Sequence, residues 1–332
     1  MKEKSPDSAP KAESSSAGKF EKFGWAGIQL EIPTTWEISG ISGDEKNGYL
    51  RLDDAEMPRL ELKWAKTRKK KPDLHKTLDE YFKLVRKNYK RGGNVSFRRN
   101  VDLIKDEDFL KGHTVLGFSW KGGIRANGLI LHSPETKRIT IVQVMGRLKE
   151  NWRPTVLRIF QSISDQEDLK HTVWSAYGLR LAVPKNYKLE KQKLLSGYLL
   201  FTFARGKSRK LSVERYGPAE VLLNEFTSEL NPLETWFRAR YAKAIRGYGF
   251  EVILHEEHGD EHINFVGQQT RLYDSMPFSP LLVLDKLRKR VRLTFFIWHC
   301  HRTNRIYVVQ SIGRHETSEN LAQEVAKSIH CH

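Results

Sequence analysis

Apolar and polar residues alternate in two matching stretches of the chain. The first runs from Ile28 to Ile32, and the second runs from Leu179 to Val183 in the other half of the sequence. Successive side chains of a strand point to opposite faces, so this period of two is typical of a strand with one buried face. The pattern predicts a half-buried strand near the start of each half.

The apolar spacing changes to that of a helix in two later stretches. One runs from Leu78 to Tyr89 after a Pro-Asp start signal, and the other runs from Leu233 to Ile245 after Pro232. Proline favours the first turn of a helix, and a glycine follows both stretches as a stop signal. Strand-like patterns then return, and an amphipathic segment closes each half. In the first half these strands are predicted at 95–104, 113–120, 124–132 and 138–146. The closing segments are predicted at 152–163 in the first half and at 318–329 in the second.

These matching patterns belong to an internal repeat. "TKRITIVQVMGR" from Thr136 aligns without gaps with "TNRIYVVQSIGR" from Thr303, and seven of the twelve positions are identical. Other matching segments keep the same order in both halves, which indicates duplication of a whole unit. The predicted organisation is a disordered tail at 1–19, a first unit at 20–165, a linker at 166–172 and a second unit at 173–332. Each unit is long enough for a hydrophobic core of its own.

The order of elements predicts an α+β fold for each unit, with an antiparallel sheet flanked by helices. The repeated turn around "ETKR" and "RTNR" lies between two apolar runs, which favours a hairpin. The opening strands "GIQLEIPTTW" and "GLRLAVPKNY", the central helix and the closing strand and helix together resemble the PsbP-like fold. That fold is an α/β/α sandwich around an antiparallel sheet. The resemblance covers both units and carries over no functional residue.

Members of the PsbP-like group include extrinsic photosystem subunits and a nuclear-transport partner of a small GTPase. The resemblance therefore implies a non-catalytic binding module. The formal net charge of +17 favours an anionic partner, such as an acidic protein, a nucleic acid or an anionic membrane surface. The alternative is a basic surface that is solvated and holds no site.

Composition limits where the protein is expected to act. No apolar run reaches the roughly 20 residues that a transmembrane helix needs. The N-terminal stretch has charge and serine but not the apolar segment of a secretory signal. Two cysteines cannot build a disulfide framework, which favours a reducing compartment. A cytoplasmic protein without a transmembrane segment is the expectation.

Positive charge is concentrated in two turns, at 66–76 and 203–210, and in an insertion of the second unit between Asp274 and Phe295. Cationic turns suit contacts with carboxylates or phosphates. The insertion joins apolar residues to basic ones and predicts either an amphipathic helix that meets a partner or a longer hairpin whose leucines cap the core. The candidate anion-binding residues are Lys69, Lys70, Lys71, Arg205, Lys207, Arg209, Lys210, Arg288 and Arg290.

Known recognition and catalytic motifs are missing from the sequence. Exposed aromatic residues are not interleaved with basic residues, and no helix-turn-helix, zinc-finger or RNA-recognition signature occurs. The sequence therefore predicts that a nucleic acid would be attracted through its charge alone, without specific recognition. There is no phosphate-binding glycine loop, nucleophile elbow or Cys-x-x-Cys pair. The stretch "HEEHGDEH" at 255–262 lacks the spacing of a zinc protease and reads as an acidic hairpin tip.

Polar residues at Gln143 and Gln310 are shared by both units. Each lies on the same strand face as an isoleucine, at 139 in the first unit and at 306 in the second. The side chain is therefore either an inward amide with hydrogen-bond partners in the core or a polar group that lines a pocket.

His-Cys-His occurs twice, at 299–301 and at 330–332. A zinc site would need four ligands in tetrahedral geometry, and the candidate ligands are His299, Cys300, His301, His330 and Cys331. On a strand, the two histidines at 299 and 301 share one face and the cysteine lies on the other. Two functions therefore stay open: a non-catalytic tandem module without a cofactor that binds an acidic or anionic partner, or a zinc-binding protein or enzyme with its site in the second unit.

Overall fold

A computed structural model of the chain describes most of both units. The described residues are 19–88, 94–104, 112–165, 170–227, 229, 231–257, 260–270, 291–313 and 317–330. Strands take up 53% of the structure and helices 21%. The chain is therefore β-rich.

The first unit opens with a hairpin and then forms a seven-stranded antiparallel sheet. Its elements are β1 (Phe20–Trp25), β2 (Ile28–Pro33), β3 (Glu37–Gly43), β4 (Asn47–Asp53), β5 (Pro58–Lys66), α1 (Leu74–Asn88), β6 (Ser96–Arg99), β7 (Thr114–Lys121), β8 (Arg125–Ser133), β9 (Arg138–Gly146), α2 (Arg153–Gln161) and β10 (Ser164–Asp165). The sheet order is β3-β4-β5-β9-β8-β7-β6, and β10 pairs with β2 beside the opening hairpin.

The second unit repeats this plan. Its elements are β11 (His171–Ala176), β12 (Leu179–Pro184), β13 (Lys188–Leu195), β14 (Tyr198–Arg205), β15 (Arg209–Tyr216), α3 (Ala219–Leu223), a 3₁₀ turn (Asn224–Phe226), α4 (Pro232–Ile245), β16 (Tyr248–Glu257), β17 (Asp260–Gln269), β18 (Arg292–Cys300), β19 (Arg305–Gly313) and α5 (Thr317–Ser328). The sheet order is β13-β14-β15-β19-β18-β17-β16, which is the order of the first sheet. Two similar β-sheet units support the predicted duplication.

The hairpin turns show the duplication at backbone level. Ala26 and Gly27 have φ angles of 52° and 84°, and Tyr177 and Gly178 have 48° and 73°. Two successive residues with positive φ are what a tight two-residue hairpin requires. The predicted hairpin between the two last strands of each unit is confirmed, because β8 pairs with β9 and β18 pairs with β19 in antiparallel register.

The two central helices are also confirmed. Asp73 Oδ1 accepts a hydrogen bond from the Lys76 N–H at 3.0 Å at the start of α1. Asn231 Oδ1 accepts one from the Glu234 N–H at 2.8 Å at the start of α4, where Pro232 is the first residue. A side-chain acceptor at this position satisfies a backbone donor that the helix leaves open.

The buried residues form three clusters. One lies between α1 and the outer face of the first sheet, and another lies between α4 and the outer face of the second sheet. The largest cluster includes inner-face residues of both sheets, both N-terminal hairpins and the closing helices. Within it the ring centroid of Trp25 lies 5.1 Å from that of Trp174 and 5.9 Å from that of Phe201. The two units therefore share a core.

The N-terminal hairpins are in close contact at Gly24. Its N–H donates to Ser175 Oγ at 3.0 Å, and a Cβ at this position would lie 2.7 Å from Val173 Cγ1. Any side chain larger than hydrogen would push β1 away from β11, so glycine permits the contact between the units.

The predicted α+β class with an α/β/α sandwich in each unit is wrong. Each sheet carries one long helix, α1 or α4, on its outer face only. The closing helix α5 packs against β18 and β19 of its own sheet and against β12, and α2 packs against β2, so both lie in the shared core with the hairpins. The layout is β-rich, with two seven-stranded antiparallel sheets and few helices. The sandwich on which the PsbP-like resemblance was based is therefore not the architecture present.

The predicted unit boundaries stay predictions. The first unit ends its last strand at Asp165 and the second begins its first strand at His171. The linker residues 166–169 and the tail residues 1–18 lie outside the described residues. In the part of the chain that the structure describes, no helix has the length and apolarity to cross a membrane.

Candidate anion-binding groove between the two units

A groove lies where the first hairpin meets the second unit, and its cavity volume is about 100 Å³. A buried water needs roughly 10–15 Å³ by the same kind of measure, so the groove has room for a carboxylate or a phosphate group. Its lining comes from both units: Ala26, Gly27, Gln29, Glu45, Lys66, Thr136 and Arg138 from the first, and His171, Thr172, Lys185 and Lys188 from the second.

The floor of the groove is a buried ion pair. The Arg138 Nε–H donates to Asp165 Oδ2 at 3.1 Å, and the Nη2–H donates to Oδ1 of the same carboxylate. The third donor, Nη1–H, bonds to the Ala26 carbonyl oxygen at 2.7 Å. A guanidinium with partners on three sides is fixed in position, and this geometry is the bidentate pairing that arginine favours.

The rim of the groove adds further cations. Lys66 ends β5 directly opposite Arg138 in the sheet register, and Lys185 follows β12 in the second unit. Lys188 Nζ lies 2.5 Å from Glu45 Oε2. The lining contains four basic side chains, Lys66, Arg138, Lys185 and Lys188, and one acidic side chain, Glu45. With Asp165 counted as well, the formal charge of the site is still positive.

A second, open cavity of about 530 Å³ lies beside the groove and shares Gln29 and His171 with it. Lys22 and Lys170 contribute further positive charge there, and Glu31 is engaged by Arg158 Nε at 2.8 Å. The acidic residues of the linker at 167–168 follow this region in sequence and lie outside the described residues. The groove and the cavity together can hold an extended segment rather than a single ion.

The two predicted basic turns connect to this groove. Residues 69–71 are exposed and follow Thr67, whose N–H donates to the Lys137 carbonyl at 2.8 Å beside Arg138. In the other turn Arg205, Lys207 and Lys210 are exposed and Arg209 is half-buried. Lys188 pairs in register with Ala204 directly before that turn. Arg288 and Arg290 lie outside the described residues, so their part in anion binding stays a prediction, as does that of the two turns.

The sequence analysis missed the groove lysines of the second unit. Lys185 and Lys188 stand where the aligned segment of the first unit has Thr34 and Glu37. A comparison of the two copies for charge, rather than for identity, would have found this signal. Arg138 lies in the repeated segment that begins at Thr136, but its partner Asp165 lies in a short strand that no periodic pattern predicts.

The shared glutamines lie on the helix-covered faces of the sheets. Gln143 is 1% exposed, its Oε1 accepts from Trp120 Nε1 at 2.8 Å, and its Nε2 donates to Glu61 Oε2 at 2.9 Å. Gln310 is half-buried and lies opposite Ser212 in the neighbouring strand. Neither lines the groove or the cavity beside it, and a pocket-lining role for them stays a prediction.

The first His-Cys-His stretch divides between two faces, as strand alternation predicts. Cys300 is fully buried in the shared core, whereas the rings of His299 and His301 lie 4.1 Å apart, centroid to centroid. The His301 N–H donates to Asp260 Oδ1 at 3.0 Å. Burial, with the neighbouring His301, lowers the pKa of His299.

No group of three or more metal-binding side chains occurs within the described residues. His330 is exposed, and its N–H donates to the Arg180 carbonyl at 3.0 Å. Cys331 lies outside the described residues, so a zinc ion held by both stretches stays a prediction.

A buried carboxylate in the second unit is a polar cluster that the sequence analysis did not detect. Glu214 is 7% exposed and accepts hydrogen bonds from Tyr198 and Tyr216, both at 2.6 Å, and from Tyr241 at 2.9 Å. Burial raises the pKa of Tyr216 to about 12, and burial also raises those of Tyr198 and Tyr241. The phenols therefore stay protonated at neutral pH and act as donors that fix the carboxylate.

Comparison with known proteins yields little. No protein-family model matches the chain, and no curated protein matches it. Among solved structures, the chain is similar to the immunity protein TplEi of the T6SS of Pseudomonas aeruginosa, solved in complex with an "L" peptide. The identity is 10% and the TM-score is 0.32, with 95% of this chain and 98% of that chain covered. A likeness at that level carries no conclusion about fold or partner.

Proposed function

We propose that this protein is a non-catalytic binding module whose groove between the two units holds an acidic segment of a partner protein. The observation that carries the proposal is the groove itself. Both units supply cations to it, Lys66 from one and Lys185 from the other. They surround Arg138, whose position is fixed by three hydrogen bonds to two residues.

The shape of the site favours an extended acidic peptide. The groove is large enough for one carboxylate, and the open cavity beside it continues past His171 toward Lys22 and Lys170. The basic turns at 69–71 and 205–210 extend the positive field on the two units. Charges outside a binding site raise the rate of encounter with an oppositely charged partner more than they raise the affinity.

A single-stranded nucleic acid fits the same surface less well. Binding of single strands uses aromatic side chains on which bases stack. Among the described residues, neither the groove nor the cavity beside it has Phe, Tyr or Trp in its lining, and His171 is the one ring that they contain.

The test is fluorescence anisotropy with a labelled peptide rich in Asp and Glu, at low and at moderate salt. The groove variant combines Lys66→Glu with Lys185→Glu. The control variant combines Lys83→Glu with Lys87→Glu, which makes the same charge change at exposed positions of α1. We expect the groove variant to bind the peptide at least about tenfold more weakly, which corresponds to about 1.4 kcal/mol, and the control variant to bind it almost as the wild type does.

Two results would overturn the proposal. Equal weakening by both variants would show that only the net charge of the protein matters. Tighter binding of a labelled single-stranded DNA, weakened by the groove variant, would assign the groove to nucleic acid.

A further inference from the structure

The two sheets end in four edge strands, β3, β6, β13 and β16. An edge strand presents unpaired N–H and C=O groups that can pair with another chain, and proteins protect such edges with bulges, charges or short strands. The register of β3 shifts between Ile38 and Gly40. The register of β13 shifts in the same way, and this strand exposes Lys191 and Lys193. β6 has only four residues, and two of them are arginines.

β16 has no register shift and is not short, and its charged residues are glutamates rather than lysines or arginines. It runs for ten residues with the sequence YGFEVILHEE, which contains neither lysine nor proline. It pairs with β17 in unbroken register from Tyr248 to Glu257. Ile253 is 47% exposed and Leu254 is 52% exposed, and these neighbours point to opposite faces. In the part of the chain that the structure describes, no strand pairs with the outer edge of β16.

The equivalent edge strand of the first unit, β6, ends early. Arg99 ends β6, and Asn100, with a φ angle of 54°, turns the chain away from the edge. The Val101 N–H then donates to the Gly117 carbonyl at 3.1 Å, and Leu103 and Ile104 are each 5% exposed in the shared core. β16 holds the same place in its sheet but continues straight on through Ile253 and Leu254. The second unit therefore has a long edge strand where the first unit has a short one.

We propose that β16 is a dimerisation strand that pairs antiparallel with β16 of a second copy of this chain. A two-fold axis near Ile253 would join the two second-unit sheets into one continuous sheet. Such an interface is isologous, since each copy uses the same surface. The apolar centre of the strand, Val252 to Leu254, would then lie opposite itself, and cross-strand apolar pairs are a main source of sheet stability.

The charges at the two ends of β16 favour pairing with β16 of a second copy of the chain, with the two strands antiparallel. Lys243 and Arg246 precede the strand, and Glu256 and Glu257 end it. Antiparallel pairing about the centre sets the basic end of each strand beside the acidic end of the other. A parallel arrangement would bring like charges together. The strand is therefore complementary in charge to itself.

Sedimentation velocity and light scattering of the full chain over a wide concentration range test the proposal. We expect a species of twice 38.6 kDa. The variant Ile253→Lys with Leu254→Lys should sediment as a monomer, because the two lysines restore the protection that β13 has. The control Leu195→Lys changes a residue that is 59% exposed on β13 and should leave the dimer intact. Thermal unfolding checks that each variant is folded.

Hydrogen exchange provides a second measurement. In the dimer the backbone amides of β16 should exchange more slowly as the protein concentration rises, and this concentration dependence should vanish in the lysine variant. A wild-type chain that is monomeric at every concentration, with a β16 edge protected at all of them, would overturn the proposal, because another part of the same chain would then cover the strand. A dimer that survives the lysine pair would overturn it as well.

Discussion

Arg138 of β9 and Asp165 of β10 form an ion pair whose side chains are 6% and 0% exposed. Thr136 Oγ1–H also donates to Asp165 Oδ2 at 3.2 Å, so the carboxylate ties the β8–β9 turn to the end of the first unit. In the repeat alignment, Arg305 corresponds to Arg138, but Cys331 stands where Asp165 would be expected. The pair is thus specific to the first unit, where it forms the floor of the groove.

Removal of Asp165 should destabilise the protein strongly. Asp165→Ala leaves the Arg138 guanidinium buried without its counter-charge, and loss of one partner of a buried pair costs about 3–5 kcal/mol. Replacing both partners, with Arg138→Met and Asp165→Leu, should recover much of that loss, because no charge is then left buried. Denaturant titration measures the free energy of unfolding of each variant.

An exposed pair supplies the control for this prediction. Arg147 and Glu56 form an ion pair with side chains 60% and 56% exposed. Arg147→Ala should cost less than about 1 kcal/mol, because water screens the charges of an exposed pair. Similar losses for Asp165→Ala and Arg147→Ala would contradict the role given to burial.

Sequence patterns predicted the elements far better than their packing. The alternation from Ile28 to Ile32 and the helical spacing after Pro232 each correspond to an element of the expected type. Alternation shows that one face of a strand is buried, but not what covers that face. Only the structure shows that the inner faces of both sheets, with Trp25 packed on Trp174, belong to a core common to both units. The sandwich prediction was wrong for that reason.

The candidate site was predictable only in part. The net charge and the lysines at 69–71 indicated an anionic partner. The groove depends on residues far apart in sequence, such as Lys66, Arg138 and Lys185, which meet only because the two units pack together. A charge comparison between aligned positions of the two copies can suggest such lysines, but their convergence is a property of the packing.

The tyrosines around Glu214 should contribute measurably to stability. Tyr241→Phe removes the phenol O–H that donates to Glu214 Oε1 and leaves that oxygen of a buried charge short of a donor. A hydrogen bond to a charged group contributes about 1.5–3 kcal/mol, and we expect a loss of that size. Tyr248→Phe, in a half-buried tyrosine of β16, serves as the control and should cost about 0.5 kcal/mol or less. Thermal denaturation of both variants gives the comparison, and equal costs would show that the carboxylate network adds nothing.

Gly117 should tolerate no side chain, because the segment after β6 crosses it closely. A Cβ at this position would lie 1.9 Å from the Val101 carbonyl oxygen, which is backbone and cannot rotate away. Gly117→Ala should therefore cost about 1–3 kcal/mol or more, and hydrogen exchange should show that residues 101–104 have lost protection. Gly40→Ala is the matched control, since the nearest atom to its Cβ would be 3.6 Å away. Unchanged protection of residues 101–104 in Gly117→Ala would contradict this account of the close contact.

His132 should make the protein less stable as the pH falls below neutrality. Burial and the neighbouring His113 lower the pKa of His132 from 6.5. The unfolded chain then binds a proton more readily than the folded chain does. The stabilising contribution is present above pH 6.5 and is lost progressively as the pH falls below that value toward the folded-state pKa. His299 is the equivalent of His132 in the second unit. Burial lowers the pKa of His299 as well, so its effect on stability has the same sign.

The role of His132 is tested by the change in unfolding free energy with pH, because the stability at a single pH does not isolate it. Burial raises the pKa values of Glu21 and Glu37, and these carboxyls act in the opposite direction in the acidic range. The comparison is therefore made between variants. His132→Gln should reduce the loss of unfolding free energy between pH 7.5 and pH 5.5 by up to about 1.4 kcal/mol for each unit of pKa depression. His75→Gln, at an exposed position of α1, is the control for the substitution itself, and the slope of His132→Gln is compared with it. If His132→Gln and the wild type lose stability in parallel over this range, His132 already accepts its proton in the folded protein as readily as in the unfolded one.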